Sequence, residues 1–206
     1  MFYMPFFKVI YPMKKLLVAT SIFATTIFAV LPAQADWVVD EASRIGFVSI
    51  KNNAVGENNT FERVSGRVSG AGAVAVNIDL TSVETGVGIR NERLQKMLFN
   101  VASFPKATVS AQLTQDQLNA LESGGNAVAS VSVAVTLHGN TVSKKAELAA
   151  ARAGDTVRVT TTQPIVISAS EFGLEAGVAA LQSIAGLNAI SRSIPVTVDL
   201  QLSAAD

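Results

Sequence analysis

The sequence contains no cysteine, a single histidine (His138) and a single tryptophan among its 206 residues. A chain without cysteine cannot form disulfides and must hold its fold by burial alone. One imidazole and no thiolate cannot form a zinc site of the usual nitrogen and sulfur ligands, and no acidic cluster resembles a calcium loop. We therefore expect neither a metal nor a cofactor.

Charged residues are also scarce, at 16% of the sequence, with 16 basic residues balanced by 16 acidic ones. The chain has no basic run of the kind that binds phosphate backbones,. Nucleic acid is therefore not an expected partner.

The N-terminal region carries the three parts of a secretory signal peptide. The basic pair in Met13-Lys14-Lys15 precedes an uncharged apolar run at 16–31, and the small-x-small tripeptide Ala33-Gln34-Ala35 follows,. The alternative is a membrane anchor, but the run is shorter than the roughly 20 apolar residues of a spanning helix and meets Pro32,. We expect cleavage after Ala35 and a periplasmic product.

Removing the predicted leader, residues 1–35, changes both the size and the charge of the chain. Residues 36–206 remain, a length that suits one domain with a sizeable core,. Lys8, Lys14 and Lys15 are removed with the leader and no acidic residue is, so the mature chain is mildly acidic. We expect no stable membrane span after cleavage.

Apolar and polar residues alternate through most of the mature chain, which is the pattern of strands with one buried face. The alternation is regular at 74–80, 131–137 and 194–202. Less regular strand-rich segments are found at 44–51, 60–69, 107–113, 143–151 and 156–168,. Eight strands with few helices predict an all-β fold, either a sandwich or a closed antiparallel barrel.

Three short segments have helical spacing. Residues 90–99 place Leu94, Met97 and Leu98 on one face, and 178–184 repeat apolar residues at similar intervals,. Thr114 and Gln117 resemble a capping box ahead of an apolar pair,. We expect short helices in the connections between strands.

No catalytic constellation is apparent in the sequence. A Ser-His-Asp triad would need His138, which by strand parity lies opposite the apolar face of 131–137 and precedes a Gly139-Asn140 turn,. Arg90, with Arg93, Lys96 and Arg192, could pair with a pyrophosphate or carboxylate head group, or could form an ordinary solvated face,. The chain is therefore not expected to be an enzyme.

A set of short motifs resembles the YceI-like family of periplasmic proteins. These motifs are Trp37-Val38-Val39-Asp40, Ser82-Val83-Glu84-Thr85, Arg90-Asn91-Glu92-Arg93-Leu94, Phe104-Pro105-Lys106-Ala107-Thr108, Leu137-His138-Gly139 and Phe172-Gly173-Leu174. They recur in order over nearly the whole mature chain. The resemblance implies an eight-stranded antiparallel, lipocalin-like barrel that holds a polyisoprenoid chain in an apolar interior.

On that resemblance, we expect the chain to bind a polyisoprenoid or similar amphiphilic lipid without catalysis. The residues expected at the cavity and its mouth are Phe47, Phe61, Leu94, Met97, Phe99, Phe104 and Phe172, with Arg90 and His138 for polar contacts. The alternative is a stress-response structural or interaction barrel whose interior is filled and binds no lipid. An enzyme acting on a lipid is a third, less favoured reading. The volume of the interior separates the first two.

Overall fold

The computed structural model describes residues 36–122 and 126–205. The predicted signal peptide lies outside these residues. Within the described part of the chain, no helix is both long enough and apolar enough to cross a membrane.

The described residues form twelve strands. They are β1 Trp37–Val39, β2 Arg44–Lys51, β3 Val55–Phe61, β4 Val64–Val68, β5 Ala73–Asp79, β6 Val83–Glu84, β7 Lys106–Gln112, β8 Asn126–Leu137, β9 Asn140–Ala153, β10 Thr156–Thr161, β11 Ile165–Ser168 and β12 Ser193–Ala204.

These strands build a closed antiparallel barrel of eight positions. The ring runs β1-β4-β5-β7-β8-β9-β10-β12 and closes where β12 pairs with β1. The first half of the long strand β12 pairs with β2 and β11, and its second half pairs with β1 and β10. Along one side of β12 the neighbouring strand is therefore first β2 and then β1, and along the other side it is first β11 and then β10. The prediction of an eight-stranded antiparallel barrel is confirmed.

Two of the predicted strands are broken in the structure. The segment 156–168 divides into β10 and β11 around Pro164, which has no N–H to donate to a neighbouring strand,. The segment 60–69 divides into β3 and β4, and β3 begins earlier than expected, at Val55. Its polar stretch Glu57-Asn58-Asn59 lacks the apolar alternation by which the other strands were recognised,.

Three α-helices lie in the connections: α1 Gly88–Arg93, α2 Gln115–Glu122 and α3 Glu175–Ile184. The predicted capping box is present at α2, where the Thr114 N–H donates to Gln117 Oε1 at 2.9 Å and the Gln117 N–H to Thr114 Oγ1 at 3.3 Å. Helix α1 continues into a π-helical turn, Leu94–Leu98, and single 3₁₀ turns span Leu80–Ser82 and Ala169–Phe172.

The hairpin between β8 and β9 turns at His138 and Gly139. Their φ angles are +50° and +81°, and Leu137 pairs with Asn140 on either side. Positive φ at both central residues defines the type I′ turn that matches the twist of antiparallel strands. A turn is present after Leu137, as expected, but its central residues are His138 and Gly139 instead of Gly139 and Asn140, which already pairs as the first residue of β9.

Candidate functional site

The barrel encloses a cavity of about 750 Å³. Its wall is formed by inward-facing residues of the ring strands, among them Val76, Val109, Val131, Val133, Leu148 and Val159. Several further inward positions are alanine, including Ala111, Ala129, Ala146 and Ala150. An eight-stranded barrel is just wide enough for its side chains to fill it or for one small ligand. Small and β-branched residues leave the interior open here.

One part of the cavity wall is aromatic, and we call Phe47, Phe61 and Phe99 the aromatic wall. The rings of Phe47 and Phe61 stack with centroids 5.2 Å apart, and Phe61 meets Phe99 at 5.7 Å with the rings tilted by 57°. Phe99 follows the π-helical turn, and its N–H donates to the Leu94 carbonyl five residues earlier at 2.9 Å. This extra residue per turn changes which side chain meets the cavity.

Along the hairpin of β2 and β3 the inward face changes from apolar to polar. Ile45 pairs with Phe61, then Phe47 with Asn59, then Ser49 with Glu57. Lys51 continues the same face toward the hairpin turn. Residues two apart on a strand share a face, about 7 Å from one another. The hairpin therefore carries a polarity gradient along the cavity wall.

The polar end of this gradient meets the start of α1, and we call Ser49, Lys51, Glu57, Asn59, Thr85 and Arg90 the polar rim. Lys51 Nζ donates to Glu57 Oε1 at 2.7 Å, and Arg90 Nη1 forms an ion pair with Glu57 Oε2. Arg90 also donates from Nε to Thr85 Oγ1 at 3.0 Å and from Nη2 to the Thr85 carbonyl at 2.8 Å. Each terminal nitrogen of Arg90 therefore has a protein acceptor.

The two cations determine the protonation of Glu57. The hydrogen bond from Lys51, with the charges of Arg90 and Lys51, holds the pKa of Glu57 below its ordinary value, although partial burial opposes this,. Glu57 is therefore ionised at neutral pH and offsets part of the positive charge beside it.

Asn59 lies one step further into the cavity and is 4% exposed. Its side-chain NH₂ donates to the Glu57 carbonyl at 3.0 Å, to Ser49 Oγ at 3.1 Å and, weakly, to the Phe47 carbonyl at 3.5 Å. The amide is thus anchored to both strands of the hairpin. Sequence reasoning missed this residue, although it stands two positions before Phe61 and therefore on the same face.

One protein-family model matches nearly all of the residues that form the barrel. The YceI-like domain matches residues 37–202. The chain belongs to the YceI-like family. No curated protein matches it significantly.

Solved structures similar to this YceI-like chain agree on the fold. A polyisoprenoid-binding domain from Saccharophagus degradans, implicated in plant cell wall breakdown, is 34% identical with a TM-score of 0.78, covering 82% of this chain and 98% of its own. Burkholderia cenocepacia BcnA is 18% identical with a TM-score of 0.58 and coverage of 79% and 98%. A Campylobacter jejuni YceI protein is 15% identical with a TM-score of 0.51 and coverage of 72% and 84%. The last two support the fold alone.

Five of the nine predicted site residues line the cavity of this YceI-like barrel. They are Phe47, Phe61, Arg90, Leu94 and Phe99. Their placement agrees with the expectation, and their role in binding remains a prediction.

The other four, Met97, Phe104, His138 and Phe172, lie outside the cavity lining. Phe104, in the segment before β7, packs on His138 of the β8–β9 turn, with ring centroids 4.6 Å apart. Phe172 is fully buried behind Ala169, Leu174 and Val178, which themselves line the cavity. The expectation that these residues line the cavity is therefore wrong. Phe104 and His138 pack together beside the cavity-lining strands, and Phe172 packs behind the cavity wall.

Met97 is displaced from the cavity by the π-helical turn. An α-helix would have placed it one turn after Leu94, but the wider turn presents Leu94, Leu98 and Phe99 to the interior instead,. The backbone of Met97 packs against α3, where a Cβ at Gly177 would lie 2.7 Å from the Met97 carbonyl oxygen.

No group of three potential metal ligands is found within residues 36–122 and 126–205. The site combines an apolar chamber, an aromatic wall and a polar rim.

Proposed function

We propose that this YceI-like chain binds a polyisoprenoid or similar amphiphilic lipid, with the tail inside the barrel. The observation that carries the proposal is the apolar cavity of about 750 Å³, whose polar lining residues are confined largely to the polar rim and to α2. Burial of each CH₂ group contributes about 0.8 kcal/mol, so a long tail would supply most of the affinity. The 34% identical structure described as a polyisoprenoid-binding domain supports the same ligand class.

The open interior favours this proposal over a barrel that acts only through its outer surface. A filled core would have left no space for a tail, whereas the inward alanines keep the chamber open,.

We propose further that the chain acts as a binder and not as an enzyme. Glu57, the carboxylate of the polar rim, is held ionised by Lys51 and Arg90 and so makes a poor general acid,. The single histidine packs against Phe104 at the β8–β9 turn, outside the cavity lining.

Export to the periplasm is also proposed, with cleavage after Ala35. This proposal is supported by the signal-peptide pattern of residues 13–35,. Cell fractionation and N-terminal sequencing of the purified protein test it. A protein that begins at Asp36 in the periplasmic fraction is expected, and retention of the apolar run would contradict the proposal.

Native mass spectrometry of the full chain, expressed and purified without added lipid, tests the binding proposal. A co-purifying long-chain lipid at about one per chain is expected. Ala129→Phe, which fills the cavity from β8, should abolish lipid retention while the melting transition remains cooperative. Ser132→Phe, on the exposed face of the same strand, is the matched control and should retain lipid. Equal retention by both variants would place the lipid outside the barrel.

A further inference from the structure

Three fully exposed segments of the chain contain no charged residue. They are residues 52–56 at the turn of the β2–β3 hairpin, 86–89 at the start of α1 and 183–186 at the end of α3, and we call them the three tips. Of the seven large apolar side chains that are exposed in the described part of the chain, four lie here: Val55, Val87, Ile89 and Ile184. Exposed apolar residues are normally scattered singly, so this concentration indicates a contact surface.

The three tips lie around the same end of the barrel. Glu57, which follows the first tip, forms an ion pair with Arg90, which directly follows the second tip at 86–89. Asn52 belongs to the first tip, and its Oδ1 accepts from the N–H of Asn188, two residues after the third tip, at 2.9 Å. The tips are therefore held next to one another at the polar rim, although they are distant in the sequence.

The three tips project from the body of the protein. A Cβ added at Gly86 or Gly186 would meet no atom of a non-adjacent described residue within 4 Å. Val55, Val87 and Ile89 do not belong to the cavity lining, so their exposed surface faces the outside and not the chamber. A rigid protein partner would have to match all three tips at once, whereas a fluid lipid surface closes around each tip separately.

The cavity opens among these tips. Ile184 of the third tip lines the cavity and is 50% exposed, and the side chains of Lys51 and Arg90 line it while remaining 28% exposed. An apolar ligand that moves from a bilayer to the barrel through water exposes its whole tail, at a cost that grows with every CH₂ group. An opening that touches the bilayer removes this step.

The charges at the opening favour a bilayer that contains anionic lipid. Lys51, Arg90 and Arg93 line the opening, with the carboxylates of Glu57 and Glu84 beside them. Three cations against two carboxylates leave a small positive excess, which attracts anionic head groups. Because the excess is small, apolar contact must supply most of the binding.

We propose that the three tips dock the barrel on a lipid bilayer that contains anionic lipid, with the cavity opening toward the membrane. The apolar side chains of the tips enter the boundary between head groups and acyl chains, and the basic residues of the opening stay among the head groups. This inference goes beyond the proposed function, because docking on a bilayer and retention of a lipid in the cavity are separate properties and can be measured separately.

Vesicle flotation of residues 36–206 tests the docking surface, because this span contains the whole barrel and omits the apolar run at 16–31. Vesicles of equimolar phosphatidylcholine and phosphatidylglycerol should carry the wild type upward. Val55→Ser should weaken the partition about fivefold, and Val166→Ser should leave it unchanged. The two valines are matched, at 52% and 55% exposed, but Val166 lies in β11, outside the tips. Equal partition of the two variants, or a wild type that does not float, overturns the inference.

Light scattering of the same proteins without vesicles examines the alternative occupant of the tips, a second copy of this chain. A monomer is expected for the wild type and for both variants. A dimer that Val55→Ser dissociates would assign the tips to self-association and would contradict docking on a bilayer.

Ligand uptake separates docking from the proposed function. Geranylgeraniol is supplied either within the vesicles or from ethanol, and native mass spectrometry follows its appearance on the protein. Ile89→Ser should slow uptake from vesicles about tenfold and leave uptake from ethanol unchanged, because only the first route uses the tips. Equal rates for Ile89→Ser and wild type from vesicles contradict the inference while the proposed function stands. No uptake by the wild type from either source contradicts the proposed function, and the flotation result stands by itself.

Discussion

Phenylalanine side chains occur both on the cavity wall and behind it, and the residues around each ring determine whether a ligand can contact it. The aromatic wall of Phe47, Phe61 and Phe99 faces the open chamber. Phe172 lies one layer behind, enclosed by Ala169, Leu174 and Val178, and is 0% exposed. Leu98 packs against both regions and joins them. An aromatic residue in the outer layer stabilises the fold, whereas one on the wall is available to a ligand.

Phe172→Ala should give the largest effect, because it removes a large side chain from a filled region. We expect a loss of about 3–5 kcal/mol in the free energy of unfolding. Denaturant unfolding measures it. Phe104→Ala, at a half-buried ring that packs on His138, is the matched control and should cost less. Equal losses would mean that Phe172 is not in a distinct, filled region.

Phe99→Ala should lower both the stability of the fold and the retention of lipid. Because the side chain borders a cavity, we expect a smaller stability loss, about 1–2 kcal/mol, together with about tenfold weaker lipid retention. Melting and native mass spectrometry of the same variant separate the two quantities. A stability loss as large as that of Phe172→Ala with lipid fully retained would remove Phe99 from the ligand-facing wall.

Gly177→Ala tests the junction between the two regions. Its Cβ would lie 2.7 Å from the Met97 carbonyl oxygen and 3.0 Å from Leu98 Cα, so α3 and the π-helical turn must separate. Overpacking should outweigh the gain in helix propensity and destabilise the protein by about 1 kcal/mol. Gly88→Ala in α1 has no atom within 4 Å of the added Cβ and is the control, expected to be neutral. A neutral Gly177→Ala would contradict close packing at the junction.

Glu57→Gln should have the smallest effect, and that effect should depend on pH. The pKa of Glu57 is lowered in the folded state from an ordinary value of 4.5, so its ion pairs stabilise the fold fully above pH 4.5,. This stabilisation is lost as the pH falls through the lower folded-state pKa. We expect the wild type to exceed the variant by less than about 1 kcal/mol at pH 7, because the group is partly exposed,.

The difference between wild type and Glu57→Gln should narrow as the pH falls below 4.5 and through the lowered folded-state pKa of Glu57, because the wild-type side chain then becomes neutral as well,. Unfolding measured from pH 3 to 7 checks this. Glu92→Gln, which breaks only the exposed pair with Lys96, is the control and should show a weaker pH dependence. A gap of constant size between pH 7 and pH 3 would point to packing and not to charge.

The sequence predicted the strands whose inward residues are apolar, and it failed where the interior is polar. Alternation located β5, β8 and β12 because their buried faces carry valine, isoleucine and leucine. The start of β3 was missed because Glu57 and Asn59 face the cavity and mimic the polar pattern of a loop. Polarity alone cannot distinguish a solvated side chain from one that lines a ligand chamber.

Helical spacing likewise predicted only part of the structure at 90–99. The pattern at 90–99 identified an amphipathic segment but assumed a regular repeat, whereas the structure widens to a π-helical turn at Leu94–Leu98. Phe172 was expected at the cavity, but it packs behind the wall against Ala169, Leu174 and Val178, and contacts with α3 cannot be read from local spacing. Phe99 met the expectation because its position after the turn brings it to the wall.

The barrel is closed by two segments that are distant in the chain, since Trp37 pairs with Ala204 and Val39 with Leu202. Contacts of such high sequence separation form slowly, because the entropy of closing a long loop is lost before the contacts can compensate for it. Trp37 is the only tryptophan of the sequence, is 2% exposed, and has the Arg152 guanidinium 5.2 Å above its ring. The protein therefore carries a natural fluorophore in its seam, and tryptophan emission during refolding reports the moment at which the ring closes.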